Sequence, residues 1–307
     1  MRFAAFIITF NRPSILAKTI SVLLEQTIVP EKILIVDNST NTQTRKLIAA
    51  QRDKRIDYHD NGGNRGPAGG AATGMKLLAQ KGYDAILWLD DDDPPYDNAL
   101  NEKFLQVLKN DSSIAVVGSL GAALNRWTGD IRRLEDHELR GDIVDVDYIG
   151  GNQHILARGE YIRQHGLWPE ADLFFGFEDL DFCMKVKRAG YRVVAVPEVA
   201  LVNRERAGRM NFKPATREEI LRDGARTVWR QYYSYRSLIH IFLSNSLISA
   251  ACFTALRGLF KVAYAFRISW SVGTLYFKSV LGGIADGASG KLGYTVPAVS
   301  KYPKENR

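Results

Sequence analysis

Residues 85–93 read AILWLDDDD: five apolar residues, Ala85 to Leu89, run straight into four carboxylates, Asp90 to Asp93. The apolar run has the length of a buried strand. Four adjacent carboxylates repel one another, and a strand end does not normally tolerate that without a counterion. A hard divalent cation, Mg²⁺ or Mn²⁺, supplies one. Mg²⁺ is typically held by only one or two carboxylates, with phosphate oxygens and water completing the octahedron. The ordinary alternative is a solvated acidic turn or a helix N-terminus. The position directly after AILWL disfavours it.

The chain on either side of this stretch alternates strand-like and helix-like segments. Phe3 to Phe10 is a short apolar run suited to a strand buried on both faces. Ser14 follows Pro13 and could cap a helix carrying Ile15, Ile20, Leu23 and Leu24. Lys32 to Val36 (KILIV) reads as a second strand, ending in Asp37, Asn38 and Ser39. A polar, helix-compatible stretch leads to a short strand at Ile56 to His59. Asn61 to Gly70 is a loop rich in Gly and Asn, and Ala71 to Gln80 reads as a helix. Beyond the acidic cluster come a helix around Leu100 to Leu108 and a strand at Ile114 to Val117. Such alternation predicts a largely parallel, doubly wound α/β sheet. Sheets of this kind bind ligands at the carboxyl ends of their strands. Three polar clusters fall at predicted strand ends: Asp37, the Asn61 loop and the Asp90 cluster.

Residues 120 to 202 read as an α+β continuation. Within them, Gly176 to Phe182 (GFEDLDF) opens a helix running through Ala189. Glu178 and Asp179 sit at its start, where the helix dipole favours negative charge. They could simply cap the helix. The apolar run Leu173 to Phe177 before them could also raise a carboxylate pKa by desolvation, as a base beside a metal site would require. The residues alone leave both readings open.

At 307 residues the chain can hold one large domain, or a domain with an extension. Its 46% hydrophobic and 24% charged content places it among globular rather than disordered chains. Two cysteines, Cys183 and Cys252, exclude a disulfide framework and fit a reducing compartment. The N-terminal MRFAAFIITFNRP is too short in its apolar run for a signal peptide, and ends in Asn11, Arg12 and Pro13. Charge is uneven. Residues 203 to 307 hold 17 Lys or Arg against 6 Asp or Glu, a surplus of 11, whereas the rest carries 24 against 28. The basicity therefore belongs to the tail, which reads as mostly helical from about residue 215. Leu238 to Phe253 contains His240, Ser244, Asn245, Ser246 and Ser249, which is too short and too polar for a membrane span. From Ala255 to Leu281, aromatic residues mix with Arg257, Lys261, Arg267 and Lys278, which suits a helix lying in a bilayer interface. The aromatic faces could instead join copies of the chain into an oligomer. Nucleic acid fits that apolar content poorly.

The order and spacing of several stretches carry a family resemblance. They are ITFNRP near the start, IVDNS at 35–39, NRGPAGGAATG at 64–74, LWLDDDD at 87–93 and GFEDLDFCMKVKRAGYR at 176–192. With these the chain resembles the family 2 glycosyltransferases of the GT-A fold, especially rhamnosyl- and galactofuranosyltransferase-like members, over roughly residues 3 to 206. The resemblance implies a nucleotide-sugar-binding domain, taken as residues 1–210, and a basic helical extension, 211–307. It implies an inverting, metal-assisted transfer from a UDP- or dTDP-sugar to a glycan or lipid-linked acceptor. It also implies roles at matching positions. Thr9 and Asp37 would line base and ribose, with Asn11 and Arg12 beside them. Asn61, Asn64, Gly66 and Gly69 would form the loop next to base and sugar. Asp90 and Asp92 would be the Asp-x-Asp pair, with Asp92 the direct metal ligand. Asp91 could share that role, because the register within four Asp is ambiguous. Asp179 would be the general base and Glu178 its alternative. Many relatives place a histidine after the strand read at VVAVPEVALV, where it joins the metal shell. This chain has Asn203 there, followed by Arg204, so Asn203 could offer its carbonyl. His154, in GGNQH, reads as a structural or acceptor-side residue, and Arg204 and Arg206 as solvated surface residues that could add charge near a diphosphate. Such an enzyme would sit in the cytoplasm, peripheral on the inner face of the membrane.

Two other readings compete. A sugar-1-phosphate nucleotidyltransferase should show a Gly-rich, basic signature directly after the first strand, where this chain has Asn11, Arg12 and Pro13. A non-catalytic nucleotide-sugar or glycan binder would have no need of Asp90, Asp92 and Asp179. A dinucleotide-dependent dehydrogenase is poorer still, because the Gly-rich stretch follows the third strand and lacks the fingerprint.

Overall fold

The computed structural model describes residues 1–150, 154–206, 208, 221, 224 and 227–297. The chain opens with β1 (Phe3–Thr9), α1 (Pro13–Leu24), β2 (Lys32–Asp37), α2 (Gln43–Ala49) and β3 (Ile56–Asp60). It continues with α3 (Gly66–Gln80), β4 (Ala85–Asp90), α4 (Leu100–Asn110) and β5 (Ile114–Gly118). Shorter pieces follow: β6 (Gly121–Leu124), β7 (Ile131–Arg133), β8 (Val144–Asp145), β9 (Tyr148–Ile149) and β10 (Ile155–Arg158). Then come α5 (Gly159–His165), α6 (Glu178–Arg188), β11 (Arg192–Ala195) and α7 (Pro197–Arg206). Three long helices close the described chain: α8 (Val228–Ser244), α9 (Ile248–Ile268) and α10 (Trp270–Ser289).

The main sheet has eight strands in the order β3-β2-β1-β4-β10-β5-β11-β8. β3, β2, β1 and β4 run parallel, as do β5 and β11, while β10 lies antiparallel between β4 and β5. Side chains alternate between the faces of β1. Ala4, Phe6 and Ile8 join one core cluster with Met75 and Leu78 of α3. Phe3, Ala5 and Ile7 join the other with Leu16 and Leu23 of α1 and Phe104 of α4. Both faces are covered, which is why these strands are apolar throughout.

Several boundaries differ from the sequence reading. Helix α1 starts at Pro13, preceded by Arg12, with no side-chain cap, so Ser14 lies inside its first turn. Proline at the first helical position is pre-set for the helical φ. Helix α3 starts at Gly66 rather than Ala71. The Asn64 side-chain oxygen accepts from the Gly66 N–H at 3.0 Å and begins the helix early. The glycines of this segment therefore belong to a helix packed on the sheet. A Cβ at Gly74 would lie 2.3 Å from Cδ2 of Phe6, closer than any real contact. Gly74→Val is expected to destabilise the protein by about 1–3 kcal/mol through overpacking, read as a lower midpoint in thermal unfolding. The strand after α6 ends at Ala195, and Pro197 turns the chain into α7, so Asn203 lies on a helix.

By packing, the chain forms two compact units. One comprises 1–123, 132–171 and 178–210, and the other 124–131, 172–177 and 211–307. In the second unit, the helix read across Ala255 to Leu281 breaks at Ser269, whose Oγ accepts from the Val272 N–H at 3.1 Å and caps α10. Val262, Ala265, Tyr276 and Val280 form a core of its own. Arg236 is fully buried between the rings of Tyr232 and Tyr233. It donates to the carbonyls of Leu173 (2.6 Å) and Gly293 (2.7 Å) and to Thr295 Oγ1 (2.8 Å). The rings of Phe174 and Phe175 pack at a tilt against Tyr233, and that of Phe175 against Trp229. The apolar run before Glu178 thus packs on α8.

Candidate active site

Register lines up the strand ends. Thr9 of β1 lies opposite Asp37 of β2, Asp37 opposite Asp60 of β3, and Ile8 opposite Asp90 of β4. Thr9, Asp37 and Asp90 therefore share the carboxyl edge of the parallel strands, where such sheets bind ligands.

The four adjacent aspartates take different roles. Asp91 is fully buried. Its Oδ2 accepts from Thr9 Oγ1 at 2.7 Å, its Oδ1 pairs with Arg12 at 2.5 Å, and its carbonyl accepts from Thr19 Oγ1 at 2.5 Å. It stitches the end of β4 to β1 and α1. Burial pushes its pKa up, against the pull of Thr9 and Arg12. Asp92 is exposed and reaches the other arm of the same guanidinium at 2.6 Å. Burial pulls the Arg12 pKa down, but Asp91 and Asp92 more than offset it. Asp90 keeps some open surface, yet burial raises its pKa to about 7, with Asp92, Asp91 and Asp179 adding to the rise and Arg12 opposing it. Asp179, 89 positions along the chain, thus contributes to the field at Asp90. Both lie in the first unit. At the start of α6, Asp179 Oδ1 accepts from the Leu180 N–H at 2.8 Å, and Glu178 precedes it half-buried. Asp181 is bound to Glu170 N and Lys185 at 2.7 Å each, which makes it structural.

On the β2–β3 side, Asp37 is buried and accepts from the Ser39 N–H and the Tyr58 hydroxyl, each at 2.9 Å. Burial and this bond push the Tyr58 pKa up to about 12. Asn61 donates to Asn38 Oδ1 at 2.8 Å and accepts from Thr73 at 2.9 Å, while Asn38 donates to the Gly66 carbonyl at 2.9 Å. Gly69 is buried in the first turns of α3 and Asn64 is exposed ahead of it. Asn11 takes a left-handed φ of 55° and joins Ser39, Thr40 and Asn41, which ties the β1 and β2 loops together. Asn38, Tyr58, Thr73 and Thr19 were given no site role by the sequence. Only Asn38, beside Asp37 at a strand end, had a signal there.

His154 is buried. Its Nε2 lies 2.9 Å from the Asp93 carbonyl and its Nδ1 3.1 Å from Ser119 Oγ. A carbonyl only accepts, so Nε2 carries the proton and the Ser119 hydroxyl donates to Nδ1. The imidazole thereby anchors the loop after the acidic cluster. Burial lowers its pKa to about 4. The unfolded side chain takes up a proton near pH 6.5 and the folded one does not until about 4, so this group removes stability as pH falls through that window. His154→Gln keeps an N–H donor but cannot titrate. Between pH 7 and 4.5 it is expected to lose about 2 kcal/mol less stability than the wild type, measured by urea unfolding at the two pH values.

Helix α7 borders the same loop: Arg206 donates to the Tyr96 carbonyl at 3.0 Å. Arg204, in contrast, is buried against Asp136 and the Leu134 carbonyl, so it is a structural cation rather than a solvated one. Asn203 keeps a buried amide oxygen with no hydrogen-bond partner among the described residues. Trp88 is a core residue stacked on Phe6. Trp127 is exposed, and Trp168 lies beneath Lys76.

Among the described residues no three His, Cys, Asp or Glu side chains form a metal cage. The donors that are present fit a Mg²⁺ or Mn²⁺ ion that takes most of its ligands from a diphosphate and water. The exposed Asp92 carboxylate and the strained ionisation of Asp90 beside it are what such an ion would relieve.

The mostly parallel sheet with helices on both faces is a GT-A-type fold. The sequence profile of glycosyl transferase family 2 matches residues 4–167, more than half of the chain, and the protein belongs to that family. Galactofuranosyltransferase GlfT1 of Mycobacterium tuberculosis (strain CDC 1551 / Oshkosh) is 38% identical over 91 residues. That stretch spans 29% of this chain and 29% of the relative. In fold, the chain is similar to Staphylococcus aureus TarS residues 1–349 in complex with UDP, at a TM-score of 0.57 and 12% identity, covering 94% of this chain and 81% of that one. It is also similar to a mannosyltransferase from Pyrobaculum calidifontis in complex with GDP-Man and Mn²⁺, at a TM-score of 0.50 and 14% identity, covering 94% and 86%.

Proposed function

We propose that this protein transfers a sugar, with inversion, from a nucleotide diphosphate sugar to a hydroxyl of a glycan or lipid-linked acceptor. The observation that carries this reading is the strand register that sets Thr9, Asp37 and the acidic end of β4, Asp90 with the exposed Asp92, along one carboxyl edge of the sheet. UDP-galactofuranose is the first donor to test, given the name of the similar mycobacterial enzyme; other UDP- and dTDP-sugars follow. Thr9, Asn11, Asp37, Asn61, Asn64, Gly66 and Gly69 form the nucleotide side of the cleft. Asp37 and Asn61 act mainly by holding its shape, since their polar atoms are already bonded inside the protein.

Asp92, with Asp90 and with Asn203 as a carbonyl ligand, would hold a divalent cation, which would supply charge neutralisation to the departing diphosphate. For Asp92 to hold the cation it would have to leave Arg12, whose other arm pairs with the buried Asp91. Asp179, or failing it Glu178, accepts the proton of the acceptor hydroxyl. The acceptor oxygen bonds to the anomeric carbon as the bond from that carbon to the diphosphate breaks on the opposite face. The carbon passes through an oxocarbenium-like state, and the product carries the inverted configuration. The basic second unit holds the enzyme at the inner membrane surface, where a lipid-linked acceptor would be found.

Calorimetric titration with UDP and dTDP, with Mn²⁺ or with EDTA, tests the donor side. Metal-dependent binding of one nucleotide is expected. Binding of neither under any condition would sink the transferase reading.

A further inference from the structure

Helix α9 carries an apolar face that the rest of the protein leaves bare. Ile248 and Phe260 are 65% and 66% exposed, and Phe253, Leu256 and Leu259 are also open to solvent. Cys252 and, past Phe260, Ala263 are exposed as well. At 100° per residue these positions fall on one stripe of the helix. No charged residue stands on the stripe until Arg267, at its far end. The opposite side, with Ala250, Ala251, Thr254, Gly258, Val262 and Ala265, is buried. At Gly258 an added Cβ would meet Tyr235 of α8 and Val280 and Ile284 of α10. A row of large side chains in water, with only Ser249 polar among them and no charge before Arg267, marks an interaction surface.

We propose that this face docks on an anionic bilayer, with α9 lying in the plane of the interface. The helix is long enough to cross, at 21 residues with a mean hydropathy of 1.2. Crossing would require lipid on all sides, and one side already packs on α8 and α10. A helix buried on one side and apolar on the other fits the boundary between headgroups and acyl chains. Charge chooses the partner. The last 105 residues hold a surplus of 11 positive charges. An anionic leaflet attracts that charge within a Debye length, whereas a second copy would bring two such surpluses together. The docking surface is therefore α9 from Ile248 to Ala263, not the aromatic stretch 255–281 as a whole, since Tyr276 is buried in the unit and Tyr264 and Phe266 pack against its core. This inference deepens the membrane-surface part of the proposed function, and its test is blind to sugar transfer.

Cys252 gives a built-in reporter. The other cysteine, Cys183, is buried, and burial pushes its pKa up to about 12, so it does not compete for a thiol label. The full chain labelled at Cys252 with an environment-sensitive fluorophore is mixed with vesicles of equal parts phosphatidylcholine and phosphatidylglycerol. A blue shift, and quenching by nitroxide-bearing lipids, are expected. In unlabelled protein, Leu256→Glu with Phe260→Glu should lower vesicle partitioning on the order of 100-fold, with unchanged circular dichroism because both side chains are exposed. No spectral change on vesicles overturns the proposal. So does an equal change on pure phosphatidylcholine, or one that appears on concentrating the protein without lipid. A protein that docks but transfers no sugar leaves this inference standing and removes the transfer reading alone.

Discussion

Asp179→Asn is expected to lower turnover about 10²–10⁴-fold, the usual contribution of a general base, while UDP binding stays within a few-fold of the wild type. The substitution keeps the size of the side chain and an oxygen that can accept from the Leu180 N–H. What it removes is the negative charge and the basicity. Asp179 also adds to the field that raises the Asp90 pKa, so its neutralisation should ease Asp90 ionisation and cannot weaken cation binding by that route. Steady-state kinetics with the preferred donor, beside calorimetry of UDP with Mn²⁺, separate the two effects. Near-normal turnover would transfer the role to Glu178. Loss of binding and turnover together would make Asp179 part of the donor site instead.

Neighbours in the acidic cluster should fail in opposite ways. Asp92→Ala is expected to reduce metal-dependent UDP affinity by about 100-fold or more, beyond the 10–100-fold typical of residues that only support a ligand. It should hardly change stability, because its pair with Arg12 is exposed on both sides and such pairs contribute roughly 0–1 kcal/mol. Asp91→Ala should cost about 2–4 kcal/mol, because it strands the Thr9 hydroxyl and removes the buried partner of Arg12. Its surviving folded fraction should still bind UDP with metal. Urea unfolding and calorimetry on both variants give the comparison. Equal loss of affinity in both would mean that the cluster binds as a block and that Asp91 is not a scaffold residue.

Part of this site was legible in the sequence because period and position carry it. AILWL ends in acid, KILIV ends in Asp37, and both must end at the same edge if the strands are parallel, as they are. The division of labour among Asp90, Asp91 and Asp92 was not legible. Successive side chains on a strand end point in different directions, and the sequence does not say which one meets Thr9 and Arg12. Gly66, Gly69 and Gly70 were misread as part of a loop because glycine is a poor helix former. Only the close approach of α3 to Phe6 and Ile8 explains why the helix uses them. Tyr58 and Thr73 were missed because a buried hydrogen-bond network leaves no periodic trace.

The sequence by itself determined the alternation of strands and helices over the first 120 residues, the largely parallel sheet, the acidic strand end and the basicity of the tail, since each depends on composition and spacing within a short window. Tertiary structure alone decided which carboxylate is buried and which is exposed. It alone decided that segments 124–131 and 172–177 pack with the tail helices, and which side of α9 faces water. These depend on contacts between residues far apart in the chain, where burial and partner geometry, rather than local propensity, set the energy.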